Sequence, residues 1–413
     1  MNEWLKSAAG TGAATAPAAE RVRYMAPSGE TFDVATPRWR APDGAPLALT
    51  PGPGLSPDRI DSRERSLWRY AAALRVDPDS RVSLGEGWTP LLDGDWHGGA
   101  VRFKLEYFAP TGSFKDRGTA VMISYLRSVG VRGILEDSSG NAGASLAAYC
   151  AAAGLSCRVL APATAPAAKV APIAALGADL CLVEGSRQDV ADQALRESES
   201  IFYASHNWQP FFLEGTRTLA FELWEQCGFG VPSAIVVPLG YGSNVLGLWL
   251  GFKELLDCGA IASLPRIFAV QAANCSAFAR PWAEGTDRWE PFEARTTVAD
   301  GIASIRPVRM PQVLGALRQS GGSLVTVSEA EIAVALRGLL ARGLFVEPTA
   351  ATAAAGCTAL RDQGQLAADS APVVVLTGTG LKAADRVGEI LSEIAKCDRE
   401  RGVRGARCCA RPA

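Results

Sequence analysis

From residue 131 onward, short apolar or β-branched runs alternate with longer stretches whose apolar residues recur at helical spacing. RGILED leads into NAGASLAAYCAAAG, CRVLAP into APAAKVAPIAALG, DLCLVEG into RQDVADQALRESES, and SAIVVPLG into NVLGLWLGFKELLDCG. The rhythm continues with RIFAVQA, with SLVTVS before EAEIAVALRGLLARG, and with PVVVLTGTG before KAADRVGEILSEIAK. This alternation predicts an α/β fold: mostly parallel sheets covered by helices, with ligands held at the carboxyl ends of strands. No repeat of fixed period interrupts it.

The flanks read differently. Residues 1–20 are Ala-rich and 398–413 Arg-rich, both without apolar periodicity, so the ends (the last from 397) are expected to be disordered, solvated tails. Residues 21–60 hold many Pro and Gly and predict an extended arm, so that 1–60 is an N-terminal arm. The strand–helix rhythm places a small α/β domain at 118–220, inserted into a larger one built from 61–117 and 221–396, with a ligand cleft between them.

Composition narrows the function. The 413 residues are 48% hydrophobic and 20% charged, enough for a large core divided over two or three domains. Lys and Arg number 41 against 43 Asp and Glu, which gives no broad basic field for nucleic acid or anionic lipid. Ten scattered cysteines without C-x-x-C spacing read as reduced thiols, and no long apolar span or secretory leader appears; a cytoplasmic protein is expected. With two histidines, His97 and His206, histidine-pair or His-rich metal chemistry is disfavoured, and lysine becomes the attractive acid and base.

Three glycine-containing loops each follow an apolar run and open a helix: EDSSGNAG (136–143), PLGYGSNVLG (238–247) and LTGTGLK (376–382). Backbone N–H groups at such turns converge on an anion, and glycine lets the main chain approach it. The middle loop, Gly240-Tyr241-Gly242-Ser243-Asn244, is the phosphate candidate; alone, a structural turn would read the same, and it lacks a P-loop ending. APTGSFKDRG adds Lys115 at a predicted helix start, and a lysine of depressed pKa can form an imine with an aldehyde. A lysine, a phosphate cradle and a hydroxyl for a ring nitrogen are together what pyridoxal phosphate needs.

The ordered segments VSLGEGWTPLL, KLEYFAPTGSFKDRG, SSGNAGASLAAYCAAAGL, VVPLGYGSNVLGLWLGFKEL, VADGIASIRPVRMPQVLGALRQSGG, FVEPTAATAAAG and VVVLTGTGLK resemble the threonine synthase branch of the pyridoxal-phosphate β-family, from about residue 60 to 395. The resemblance implies fold type II, two three-layer α/β domains, and pyridoxal 5'-phosphate as cofactor. It implies Lys115 as the Schiff-base lysine and proton carrier, Asn141 as the partner of the cofactor's ring oxygen, residues 240–244 as its phosphate cradle, and Thr377 as the hydroxyl facing its ring nitrogen. Ser138, Ser139 and Gly140 match the loop that grips the substrate carboxylate. Asn141 and Thr377 have a second reading as helix caps, Glu347 one as a structural residue ahead of Pro348, and His206 reads as a packed, hydrogen-bonded histidine. Asp116 and Arg117 are expected to anchor the helix that presents Lys115.

Two departures stand out. Residues 24–47 resemble the family's zinc knuckle with Met25, Ser28, Ala41 and Asp43 at the ligand positions, so no metal is expected. Where relatives acting on O-phosphohomoserine carry an arginine for the substrate phosphate, QPFFLEG places Phe212; Arg217 or Lys169 would have to supply the charge, and Arg217 is taken as a substrate-binding residue. Ala109 likewise replaces the usual Asn. The resemblance implies conversion of O-phosphohomoserine to threonine and phosphate, or alternatively β-elimination or β-replacement on serine, threonine or O-phosphoserine. The expected partner is a small amino-acid substrate, with neither nucleic acid nor membrane, in a homodimer.

Overall fold

The computed structural model describes residues 22–400 apart from 186 and 368, so the expectation for residues 1–20 lies outside the described residues. The chain opens with a small antiparallel sheet in the order β2-β1-β3, formed by β1 (Arg23–Met25), β2 (Thr31–Asp33) and β3 (Ala48–Leu49). Tyr24, Ala26, Ala41 and Leu47 are buried in this segment; of the positions where the resemblance puts metal ligands, Ala41 is buried, Met25 half-buried, and Ser28 and Asp43 exposed. Among the described residues no group of three or more His, Cys, Asp or Glu could hold a metal ion.

An antiparallel hairpin follows, β4 (Leu91–Trp96) and β5 (Gly99–Leu105), and then helix α1 (Lys115–Ser128). The next segment alternates β6 (Gly133–Glu136), α2 (Asn141–Ala153), β7 (Ser156–Pro162), α3 (Ala167–Ala175), β8 (Asp179–Val183), α4 (Arg187–Glu197) and β9 (Phe202–Tyr203). Its strands form a wholly parallel four-stranded sheet in the order β8-β7-β6-β9. Helices α5 (Pro210–Thr216) and α6 (Thr218–Gln226) lead back to the larger body. There β10 (Ala234–Pro238), α7 (Ser243–Asp257), β11 (Arg266–Ala272), α8 (Ala279–Ala283), α9 (Met310–Gln319), β12 (Ser323–Val327), α10 (Glu329–Leu340), α11 (Pro348–Asp362), β13 (Val373–Leu376) and α12 (Ala384–Glu400) complete the chain. The tail expected from 397 is helical backbone through Glu400, and the rest lies outside the described residues.

The large sheet runs β12-β11-β10-β13-β5-β4, parallel except for the β4–β5 hairpin at its edge. Successive strand residues face opposite sides. Val236 and Val374 therefore join the core under α10 and α11, while Ile235, Val237, Val373 and Val375 join the one under α6, α7 and α9. Burial on both faces explains why these strands read as unbroken apolar runs. The small sheet is covered likewise, by α1 and α2 on one face and α4 on the other.

Two contacts fix the helix that matters most for the site. A Cβ on Gly118 would stand 2.6 Å from the Phe212 ring and one on Gly215 2.0 Å from the Arg117 carbonyl oxygen, so α1 and α5 approach as closely as they do because both positions lack a side chain. The arm is tied to the same pair of helices: Tyr125 stacks on Phe211 at 3.6 Å, Tyr24 meets Phe211 edge-on, and the Tyr24 and Tyr125 hydroxyls are 2.6 Å apart. Burial pushes the Tyr24 hydroxyl up to about 12, so it stays a protonated hydrogen-bonding group.

Candidate active site

Lys115 is the first residue of α1, and the loop before it is held on both sides. Asp116 accepts from the Thr111 backbone N–H at 2.7 Å and from its hydroxyl at 2.6 Å, closing the 111–116 turn. The Phe114 N–H donates to the Thr377 carbonyl at 3.0 Å, and the Thr379 N–H to the Gly112 carbonyl at 2.9 Å. These bonds stitch the lysine loop to the loop that follows β13, which is how Lys115 and Thr377, far apart in sequence, come to line one cavity.

Below them lies a buried ionic cluster. The Arg117 guanidinium meets Glu106 at 2.7 Å and Glu222 at 2.8 Å, while Lys104 donates to Glu222 and Thr89 to Glu106. Glu222 is fully buried, which works against its charge, yet Arg117 and Lys104 hold it down to about 2. The first turn of α1 is anchored from both sides, as the Asp-Arg pair after Lys115 suggests.

The cavity measures about 270 Å³ and opens at the carboxyl ends of strands from both sheets. It gathers Lys115, Ser138, Ser139, Gly140, Asn141, Gly240, Tyr241, Gly242, Ser243, Asn244 and Thr377. Ser138 to Asn141 enter helix α2, and a Cβ on Gly143 would stand 1.9 Å from the Ser138 carbonyl oxygen, so this helix start is packed without room for a side chain. Gly240 to Ser243 enter helix α7. Gly242 has φ +98°, and a Cβ there would meet Val313 at 2.3 Å, so both backbone and space call for glycine. Free N–H groups at the first turn of such a helix suit a phosphate.

Two of the helix-cap alternatives are decided by geometry. The cap preceding α2 is Gly140, not Asn141, and the short turn after β13 is capped by Thr379, not Thr377. The Thr377 hydroxyl is instead buried in the cavity wall with no hydrogen-bond partner. A hydroxyl orphaned in this way fits a heteroatom of a bound ring. The residues present therefore suit pyridoxal phosphate: an amine, an anion-binding helix start and an unmatched hydroxyl face one space.

Several residues depart from the sequence reading. Arg217 is absent from the cavity wall; it is buried and paired to Glu214 at 2.7 Å and to Glu254, with the Ala73 carbonyl as a further acceptor. Its reading as a substrate-binding residue is therefore corrected: two carboxylates on α5 and α7 already claim its guanidinium. Phe212 is fully buried and packs beneath the cavity, against Gly118 and edge-on to His206. His206 is itself hydrogen-bonded, its Nδ1 lying 3.2 Å from Glu136, and it also lines the cavity.

Glu347 proves to be part of the site. It lines the cavity and accepts from the Asn141 amide at 3.1 Å, while Lys382 donates to the other end of that amide at 3.1 Å. Burial raises the Glu347 pKa, opposed by the Asn141 bond and by Lys382, Lys169 and Lys115. Burial in turn lowers the pKa of Lys382 and of Lys169. Lys382 and Asp300 carry no local sequence signal for a place at the site; LTGTGLK ends on the former, but only the fold reveals what it touches.

Comparison with known proteins is consistent with this chemistry. The sequence pattern of a family described as pyridoxal-phosphate dependent enzyme matches residues 82–378. The threonine synthase of Methanocaldococcus jannaschii is 36% identical over 341 residues, 80% of this chain and 84% of that protein. The threonine synthase of Methanosarcina acetivorans is 34% identical, covering 81% and 85%. Among solved structures, the processed form of threonine deaminase isoform 2 from Solanum lycopersicum superposes with a TM-score of 0.65 at 22% identity, over 83% of this chain and 97% of that one, a likeness of fold.

Proposed function

The chain belongs to the pyridoxal-phosphate dependent enzyme family, and from that premise we propose that it converts O-phosphohomoserine and water to threonine and phosphate, by γ-elimination and β-addition of water. Its likeness to two threonine synthases over about four-fifths of its length carries this reading. When bound, the cofactor supplies an aldehyde for the lysine amine and a conjugated ring that spreads the charge left on carbon when a proton departs.

The chain's own residues do the rest. Lys115 takes a proton from the α carbon and one from the β carbon, delivers one to the γ carbon once phosphate has left, and returns one to the α carbon as water adds its hydroxyl at the β carbon, a task suited to an amine held at a helix start above an apolar floor. Ser138, Ser139 and Gly140 hold the substrate carboxylate with hydroxyls and backbone N–H groups at the start of α2. Gly240, Tyr241, Gly242, Ser243 and Asn244 hold the cofactor phosphate, and Asn141 its ring oxygen. Thr377 presents a neutral hydroxyl to the ring nitrogen; without a carboxylate there the nitrogen stays unprotonated, which favours elimination and replacement over transamination. Approach of the two sheets' bodies over the cleft keeps water out until the β carbon is ready for it. We place the enzyme in the cytoplasm as a homodimer; its seven described cysteines are free, in keeping with a reducing compartment.

The test is substrate profiling of the cofactor-loaded protein with O-phosphohomoserine and O-phosphoserine, measuring phosphate and the amino-acid product. Threonine and phosphate in equal amounts from O-phosphohomoserine support the reading. Turnover of O-phosphoserine or serine, with O-phosphohomoserine inert, replaces it with β-elimination or β-replacement, the reading that the lack of an arginine among the described lining residues favours.

A further inference from the structure

The cavity contains no arginine among its described lining residues, yet the proposed substrate ends in a dianion. Arg217 is claimed by two carboxylates, and Phe212 is enclosed by protein. Lys115 is committed to the cofactor in the reading above. The further lysine in the wall is Lys169, and it stands at a telling place. It rides on α3, beside the four-stranded sheet, and its amine pairs with Asp300, in the one-turn helix Asp300–Ile302 on the large-sheet side. The pair thus spans the cleft. Glu347, which also lines the cavity, feels the Lys169 charge as well.

We propose that Lys169 is a specificity-determining residue that exchanges Asp300 for the phosphate of a phosphorylated amino-acid substrate, and so recognises the leaving group; this rests on the function proposed above. The physical grounds are the balance of the exchange. The Lys169 and Asp300 side chains are 26% and 59% exposed, and an ion pair that open to water contributes little net stability. A phosphate brings two charges and several acceptor oxygens to the same amine. The flexible four-carbon stem of lysine lets the amine follow a group that moves away as it leaves. Asp300 then acts as a placeholder, keeping the cation in the cavity while no substrate is there.

The placeholder role gives opposite expectations for the two partners, which a simple clasp between the two halves does not. In steady-state kinetics with O-phosphohomoserine, Lys169→Met is expected to raise KM about 10- to 100-fold, the loss of one charge-assisted hydrogen bond, whereas Asp300→Asn lowers KM or leaves it unchanged. Lys169→Arg recovers part of the loss. Cofactor affinity of the apoprotein, read by absorbance, stays within about twofold in all three. Calorimetric binding of inorganic phosphate to the cofactor-loaded protein follows the same order and needs no turnover. The proposal is overturned if both substitutions raise KM alike, if Lys169→Met weakens cofactor binding instead, or if phosphate binds Lys169→Met as well as wild type. If O-phosphoserine turns over and O-phosphohomoserine does not, the reaction assigned above fails, while the same comparison run with O-phosphoserine still decides the role of Lys169.

Discussion

The Nζ of Lys115 stands 5.6 Å from the centre of the Phe212 ring, and Phe212 is itself completely buried. The ring is a floor beneath this amine, wedged against Gly118, and not a wall of the cavity. Restoring an arginine by Phe212→Arg would therefore bury a guanidinium beside another cation. An uncompensated buried charge costs about 3–5 kcal/mol. The expected outcome is a lower unfolding temperature with no fall in KM for phosphorylated substrates. Phe212→Leu keeps the floor apolar and should cost about 1–3 kcal/mol, by analogy with other core truncations.

The closeness of α1 and α5 gives a second expectation. Gly215→Ala puts a methyl 2.0 Å from the Arg117 carbonyl, a backbone atom that cannot swing aside. Overpacking of this kind costs about 1–3 kcal/mol or more and should displace the helix that presents Lys115, lowering kcat. Gly130→Ala serves as the contrast: its φ of +83° is strained for alanine, but the space around it is open, so stability falls slightly and kcat holds. Denaturant unfolding and steady-state rates on the two variants separate the cases.

Thr377→Val removes a hydroxyl that has no partner in the folded chain. Deleting an unsatisfied buried group leaves the apoprotein as stable or slightly more so. If Thr377 faces the ring nitrogen as proposed, the cofactor loses that contact, and its affinity is expected to fall about 5- to 10-fold. Calorimetric unfolding without cofactor, set beside a binding titration with it, distinguishes this from a purely structural threonine, for which stability would fall and affinity would not.

The Glu222 cluster sets an acid limit. Its carboxyl sits at about 2 in the folded protein against 4.5 for an ordinary glutamate, because Arg117 and Lys104 outweigh the effect of burial. A carboxylate lowered on folding adds stability that is complete above its unfolded pKa and fades as pH falls from about 4.5 toward 2. Glu222→Gln is expected to lose about 3–5 kcal/mol at neutral pH, since buried Lys104 loses its carboxylate and buried Arg117 one of its two. Its unfolding temperature should also fall less steeply below pH 4.5 than that of wild type.

How far the sequence alone leads depends on whether a residue's role is local. Lys115, the 240–244 loop and the Ser138–Asn141 turn are legible because each feature, a strand end, a glycine and a helix start, falls within a few consecutive residues. The unbroken apolar runs likewise announce parallel strands covered on both faces. The β4–β5 hairpin escapes that rhythm, because it is an exposed antiparallel edge with few buried residues in β4. Arg217 reads as a substrate ligand because only one of its two carboxylates, Glu214, lies near it in sequence; Glu254, on α7, reaches it only in the fold. Glu347 read as a residue ahead of a helix-starting proline, and that it is; its place at the cavity depends on Asn141, 206 positions away. Asp300 carries no periodic signal, so its pairing across the cleft appears only in three dimensions.

The account depends first on Lys115 holding the cofactor covalently. The direct measurement is reduction of the cofactor-loaded protein with borohydride, followed by proteolysis and mass spectrometry of the peptide containing residues 109–118. The account predicts a yellow protein that bleaches on reduction and a pyridoxyl group on Lys115, lost in Lys115→Ala. A label on another lysine, or an unmodified Lys115 in the presence of excess cofactor, would contradict it.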